Sequence, residues 1–132
     1  MPKKLILIIE DDLHFQFAVQ SCLKKEGYAC TSVASVKEAL ERVRLSVPDL
    51  VILDLGLRTA SGMAFLQNLE DSVSSGEKIP PVLVVSGNSE PDIVEMATRF
   101  GAFRFISKPV SCAEIVSAVH DCLYAGHLNW VA

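Results

Sequence analysis

The sequence has no surplus of positive charge. Its 12 lysines and arginines stand against 16 acids, for a net charge of −4 and a pI near 5.3. A phosphate-backbone footprint needs the opposite sign, so direct nucleic-acid binding by this chain is not expected. Long apolar runs are missing as well. No stretch approaches the roughly 18 residues of a membrane span, and the run Leu5–Ile9 is too short for a signal core and leads straight into acids. The expectation is a cytoplasmic chain without a membrane segment or cleaved leader. The four cysteines, at 22, 30, 112 and 122, form no C-x-x-C pair, and three fall on apolar faces of predicted helices. They are expected to be reduced, small core residues without metal or disulfide use. No Walker-type glycine-rich loop follows the first apolar run, which leaves nucleotide and flavin binding without support.

What is present is a core. Half of the 132 residues are hydrophobic and 21% are charged, the make-up of one globular domain. Apolar runs alternate with helical periodicity five times. Leu5–Ile9 reads as a strand, and Phe15, Ala18, Val19, Cys22 and Leu23 recur at helical spacing up to a stop at Gly27. Tyr28–Val33 is the second strand, and Ser35 to Glu38 has capping-box spacing for a helix reaching about Leu45. Leu50–Asp54 is the third strand, followed by a helix from Met63 to about Leu69 and a Ser/Gly-rich loop. Val82–Ser86 is the fourth strand, with a helix opening at Ser89-Glu90-Pro91 and closing at Gly101. Phe103–Ile106 is the fifth strand, and Ser111 to Glu114 is a second capping box opening a helix to about Tyr124. This alternation predicts an α/β fold with an all-parallel, doubly wound sheet covered by helices on both faces.

In such a sheet, function gathers beyond the carboxyl ends of the strands. Glu10-Asp11-Asp12 follows the first strand, Asp54 ends the third, Ser86 ends the fourth, and Lys108-Pro109 follows the fifth. Adjacent acids repel each other, and folding alone gives no reason to collect them. A hard cation such as Mg²⁺ relieves that repulsion, because it favours carboxylates, a carbonyl and waters. A lysine and a hydroxyl beside it suit phosphoryl transfer to a carboxylate. Taken singly, each element has a plainer reading: helix N-terminal charges complementing the dipole, an ordinary turn, a strand-end hydroxyl.

IIEDD, LVILDLGL with Gly62 eight residues after Asp54, VVSG and GAFRFISKP together resemble the receiver domains of two-component response regulators. The intervals of 32 residues from Asp54 to Ser86 and 22 from Ser86 to Lys108 fit the same family. The resemblance runs from Lys3 to about Tyr124. It implies a flavodoxin-like five-stranded sheet in the order 2-1-3-4-5, with 1–126 as the receiver domain and 127–132 as a C-terminal tail or the start of a linker. It implies Asp54 as phosphoacceptor, with Ser86 and Lys108 completing the catalytic group. Glu10, Asp11, Asp54 and the backbone carbonyl of Gly56 would hold Mg²⁺ or Mn²⁺. Asp12 would open the first helix, with a one-residue slip left open. Ser86 and Phe105 would form the switch, and the bond before Pro109 would be cis. The implied partners are a sensor histidine kinase or phosphotransfer protein and an effector domain or downstream protein, with a homodimer compatible. Such a domain catalyses its own aspartyl phosphorylation and dephosphorylation and is not a metabolic enzyme.

Three departures from the family pattern stand out: Arg58 in place of a common proline, Gly87 in place of a small alanine, and Phe105 without a tyrosine hydroxyl. A haloacid-dehalogenase-like phosphatase would want a second aspartate where Gly56 stands. An adaptor that is never phosphorylated would not need Glu10, Asp11, Asp54, Ser86 and Lys108 together. His14, His120 and His127 have no metal spacing and read as solvated. Leu13 and Phe17 lie off the core stripe, and packing at the rim is favoured over an exposed patch. Trp130 reads equally as a loose end or a cap on the last helix.

Overall fold

Runs of β-branched and leucine residues become five parallel strands, and the helically spaced segments become the five helices between them. The computed structural model describes residues 3–57 and 61–124. In chain order the elements are β1 (Leu5–Ile9), α1 (Leu13–Lys25), β2 (Ala29–Val33), α2 (Val36–Leu45), β3 (Leu50–Leu53), α3 (Gly62–Ser72), β4 (Val82–Ser86), α4 (Pro91–Arg99), β5 (Arg104–Ser107) and α5 (Cys112–Leu123). The sheet order is β2-β1-β3-β4-β5, all parallel, as expected.

The period-two alternation of strand side chains divides the core between the two faces. Leu7, Ile9, Val51, Leu53, Val82 and Val84 face Val43 of α2, Phe65 and Leu69 of α3 and Ala97 of α4. Ile6, Ile8, Leu50, Ile52, Leu83 and Val85 face Val19 and Leu23 of α1 and Ile115 and Val119 of α5. Burying each such side chain contributes about 1.5–3 kcal/mol, which is why β1, β3 and β4 read as unbroken apolar runs.

Local chemistry sets the helix ends. Asp12 caps α1, its side chain accepting from the backbone N–H groups of His14 and Phe15. At α5 the capping box is complete: Ser111 Oγ accepts from Glu114 N at 3.1 Å, and Ser111 N donates to Glu114 Oε1 at 3.2 Å. At α2 only half of it forms, because Glu38 Oε1 accepts from the Ser35 hydroxyl instead of the Ser35 backbone.

Several expectations are corrected. The third strand stops at Leu53, although Asp54 N still donates to Ile9 O at 3.0 Å. α3 runs three residues past Leu69 to Ser72, whose hydroxyl donates to Asn68 O. The fifth strand is shifted by one, because Arg104 to Ser107 are the residues in register with Leu83 to Ser86. Leu13 and Phe17 are 71% and 74% exposed, so they form surface rather than rim packing.

The cysteine expectation also fails in part: Cys22 and Cys112 form a disulfide, with Cα atoms 5.7 Å apart, while Cys30 and Cys122 are free. The two residues are 90 apart in sequence, and only the packing of α1 beside α5 on one sheet face brings them together. Among the described residues no helix is long and apolar enough to cross a membrane. Arg58, His127, Trp130 and the 126/127 boundary lie outside the described residues.

Candidate functional site

β1 and β3 are neighbours in the sheet, so the residues that follow them meet at its carboxyl edge. Glu10 continues β1, its N–H donating to Val33 O of β2 at 3.0 Å. Its side chain is buried, with the residue 2% exposed. Glu10 Oε2 accepts from Asp12 N at 3.1 Å, and Gln16 Nε2 donates to Glu10 O at 2.9 Å. Asp54 is half-buried just past β3, and its Oδ1 accepts from Gly56 N at 3.1 Å, an Asx-type turn that orients the carboxylate. Carboxylate oxygens of Glu10, Asp11 and Asp54 all lie within 4.8 Å of one another. The neighbouring Asp12 is occupied as the α1 cap.

Lys108 reaches this cluster from the other side. Its backbone N–H donates to Ser86 O at 2.9 Å, and the Lys108–Pro109 bond is cis. Lys108 Nζ lies 2.7 Å from Glu10 Oε1 and 3.5 Å from Asp54 Oδ2, and 4.1 Å from the centroid of the Phe15 ring. The ammonium is thus held by two carboxylates and an aromatic face.

Electrostatics record the crowding. Burial pushes the Glu10 carboxyl above its ordinary value and the nearby Asp54 charge adds to this, against the lowering hydrogen bonds from Lys108 and Asp12 N. Burial pulls Lys108 down, but the Glu10 hydrogen bond and the Asp54 charge outweigh it, and its pKa is raised overall. An all-oxygen donor set from three clustered carboxylates fits a hard divalent cation.

Ser86 joins the group through its main chain. It is 2% exposed, and its hydroxyl accepts from Asn88 N at 3.2 Å. Phe105 is half-buried, opposite Val84 in register, and packs on the core face shared with α2, α3 and α4 rather than on the acids. Gly56 is exposed beside Asp54. Two contributors escaped the sequence reading. Phe15 carried only a helical-periodicity signal, and nothing local said that its ring would lie under Lys108. Gly62 was noted for its spacing alone. Its N–H donates to Leu55 O at 3.0 Å, and a Cβ there would collide with the Asp54 carbonyl oxygen and come within 2.8 Å of Leu55 Cα.

Comparison with known proteins agrees with this geometry. The family model described as "Response regulator receiver domain" matches residues 6–120. The transcriptional regulatory protein PdtaR of Mycobacterium tuberculosis is 30% identical over 115 residues, covering 86% of this chain and 54% of that protein. The DNA-binding transcriptional regulator NtrC of Escherichia coli is 24% identical over 123 residues, covering 93% of this chain and 25% of that protein. The chain thus spans about half or less of these curated relatives. Among solved structures, a CheY-like receiver domain protein from Methanospirillum hungatei superposes with a TM-score of 0.86 at 22% identity, covering 97% of this chain and 99% of that one. NtrX from Brucella abortus gives a TM-score of 0.81 at 26% identity, covering 97% of this chain and 28% of that one. With the sheet order, the acid-rimmed carboxyl edge and the family match in agreement, the chain belongs to the response regulator receiver domain family.

Proposed function

We propose that Asp54 is the phosphoacceptor of this receiver domain, taking its phosphoryl group from the phosphohistidine of a sensor histidine kinase or a phosphotransfer protein. The observation that carries this reading is the ammonium of Lys108 set between Glu10 and Asp54, beside three clustered carboxylates. An Asp54 oxygen forms the new P–O bond as the P–N bond to the donor imidazole breaks, and the released imidazole nitrogen takes up a proton. Gly56 N holds Asp54 Oδ1, which limits rotation of the carboxylate during in-line attack. Lys108 Nζ meets the incoming phosphoryl oxygens and the Ser86 hydroxyl donates to one of them. Glu10, Asp11, Asp54 and the carbonyl of Gly56 would hold Mg²⁺ or Mn²⁺, which when bound supplies charge neutralisation for the phosphoryl group.

On this reading residues 1–126 act as a cytoplasmic phosphorylation module, and an effector domain or separate protein responds to the changed surface. The domain catalyses its own phosphoryl acceptance and loss without turning over a metabolite. A haloacid-dehalogenase-like hydrolase is disfavoured because Gly56 offers no general acid two residues after Asp54.

Incubation with Mg²⁺ and acetyl phosphate should add one phosphoryl group by intact mass. The addition should vanish in Asp54→Ala and in EDTA. Labelling that survives Asp54→Ala would overturn the assignment.

A further inference from the structure

The Cys22–Cys112 pair has no part in phosphoryl chemistry. Cys22 lies half-buried on α1, and Cys112 is exposed as the first residue of α5, four residues after Lys108. Their Cα separation of 5.7 Å lies within the ordinary span of a disulfide. α1 and α5 already pack together through Val19, Leu23, Ile115 and Val119.

We propose that Cys22 and Cys112 form a reversible thiol–disulfide site that clamps α1 to the start of α5 and responds to a low-molecular-weight disulfide. Exposure makes Cys112 the attacking sulfur, because a small disulfide in solution reaches it more readily than the half-buried Cys22. The free cysteines are poorer competitors: burial pushes Cys30 up, and Cys122 up to about 11. In the reaction Cys112 loses its proton to water and its thiolate attacks one sulfur of the small disulfide, expelling a thiolate and leaving a mixed disulfide. Cys22 then gives its proton to water, and its thiolate attacks the Cys112 sulfur and expels the second thiolate. Both leaving thiolates are protonated. The protein gives up two electrons and the small disulfide gains them. The clamp goes beyond phosphoryl acceptance: it makes the packing of the Lys108-bearing segment against α1 depend on the thiol–disulfide balance.

The test equilibrates the reduced 132-residue chain with mixtures of reduced and oxidised glutathione, then alkylates under denaturing conditions and maps the peptides. Reduced protein should alkylate at all four cysteines, and oxidised protein at Cys30 and Cys122 only, with reversal by dithiothreitol. Oxidation should raise the melting temperature by about 5–15 °C and slow amide exchange over residues 107–115. Cys112→Ser, at an exposed position, should fold and lose both responses. Persistent alkylation of Cys22 and Cys112 in oxidised glutathione would overturn the proposal, as would links to Cys30, Cys122 or a second chain. So would a formed link with unchanged exchange over 107–115.

Discussion

At the scale of the residue, the telling group is Glu10. Its burial holds the carboxyl pKa above the ordinary 4.5, so the folded state binds this proton more tightly than the unfolded state. That contribution to stability is complete below 4.5 and is lost as pH rises through the folded value. Without divalent metal, the wild type should therefore gain melting temperature relative to Glu10→Gln as the pH falls from neutral toward 4.5. A flat difference would mean that Lys108 already neutralises Glu10 in full. Lys108 has the opposite charge and also a raised pKa, so its contribution persists up to its ordinary 10.5 and fades above it. Removing one partner of a buried pair costs about 3–5 kcal/mol. The Lys108 side chain is 23% exposed, which reduces the expectation for Lys108→Ala to about 1–3 kcal/mol in urea unfolding at neutral pH. That loss should shrink on acidification, as Glu10 takes up the proton that replaces the missing cation.

At the scale of the element, α3 begins where the site needs room. The missing side chain at Gly62 lets the helix start against the Asp54 carbonyl. Gly62→Ala should force the segment after β3 outward, costing about 1–3 kcal/mol by overcrowding. Displacing Asp54 from its geometry should slow acetyl-phosphate labelling roughly ten- to a hundredfold. Unchanged labelling with a lowered melting temperature would confine Gly62 to a structural role. Deeper in the same helix, Phe65 is fully buried, and Phe65→Ala should cost about 3–5 kcal/mol in urea unfolding. The comparison of Phe65 with Gly62 separates damage to the core from damage to the site, because Phe65 packs in the layer beneath the rim.

At the scale of the whole molecule, the question is how events at Asp54 reach the surface. Ser86 and Phe105 lie on neighbouring strands, β4 and β5, and a hollow of about 220 Å³ beside Ser86 is lined by Gly56, Met63, Asn88 and Met96. On the proposed reading, a phosphoryl oxygen at Asp54 should draw the Ser86 hydroxyl away from Asn88 N, and the half-buried Phe105 ring on the neighbouring strand should respond by burying further. Fuller burial of that ring would favour the switched state by roughly 1–2 kcal/mol. Such a bias moves a two-state population about five- to thirtyfold. Ser86→Ala should still accept phosphate but lose the change in amide exchange over residues 89–105. Equal changes in both proteins would disprove the coupling. The exposed Met96, Phe100 and Phe103 lie in that segment, where a partner would read the change.

The sequence by itself determined the fold class, because continuous apolar strands alternating with amphipathic helices can be buried in only one kind of layered arrangement. It also grouped Glu10, Asp11, Asp54 and Lys108, because a parallel sheet delivers every strand's carboxyl end to the same edge. The complete capping box at Ser111 was legible for a similar reason, since its partners lie within one turn. Tertiary structure alone decided what depends on contacts between distant segments. It set the Phe15 ring against Lys108, packed Gly62 on the Asp54 backbone and joined Cys22 to Cys112 across 90 residues. It also left Leu13 and Phe17 in solvent, because α1 turns Val19 and Leu23 toward the sheet and one helix cannot bury both sides.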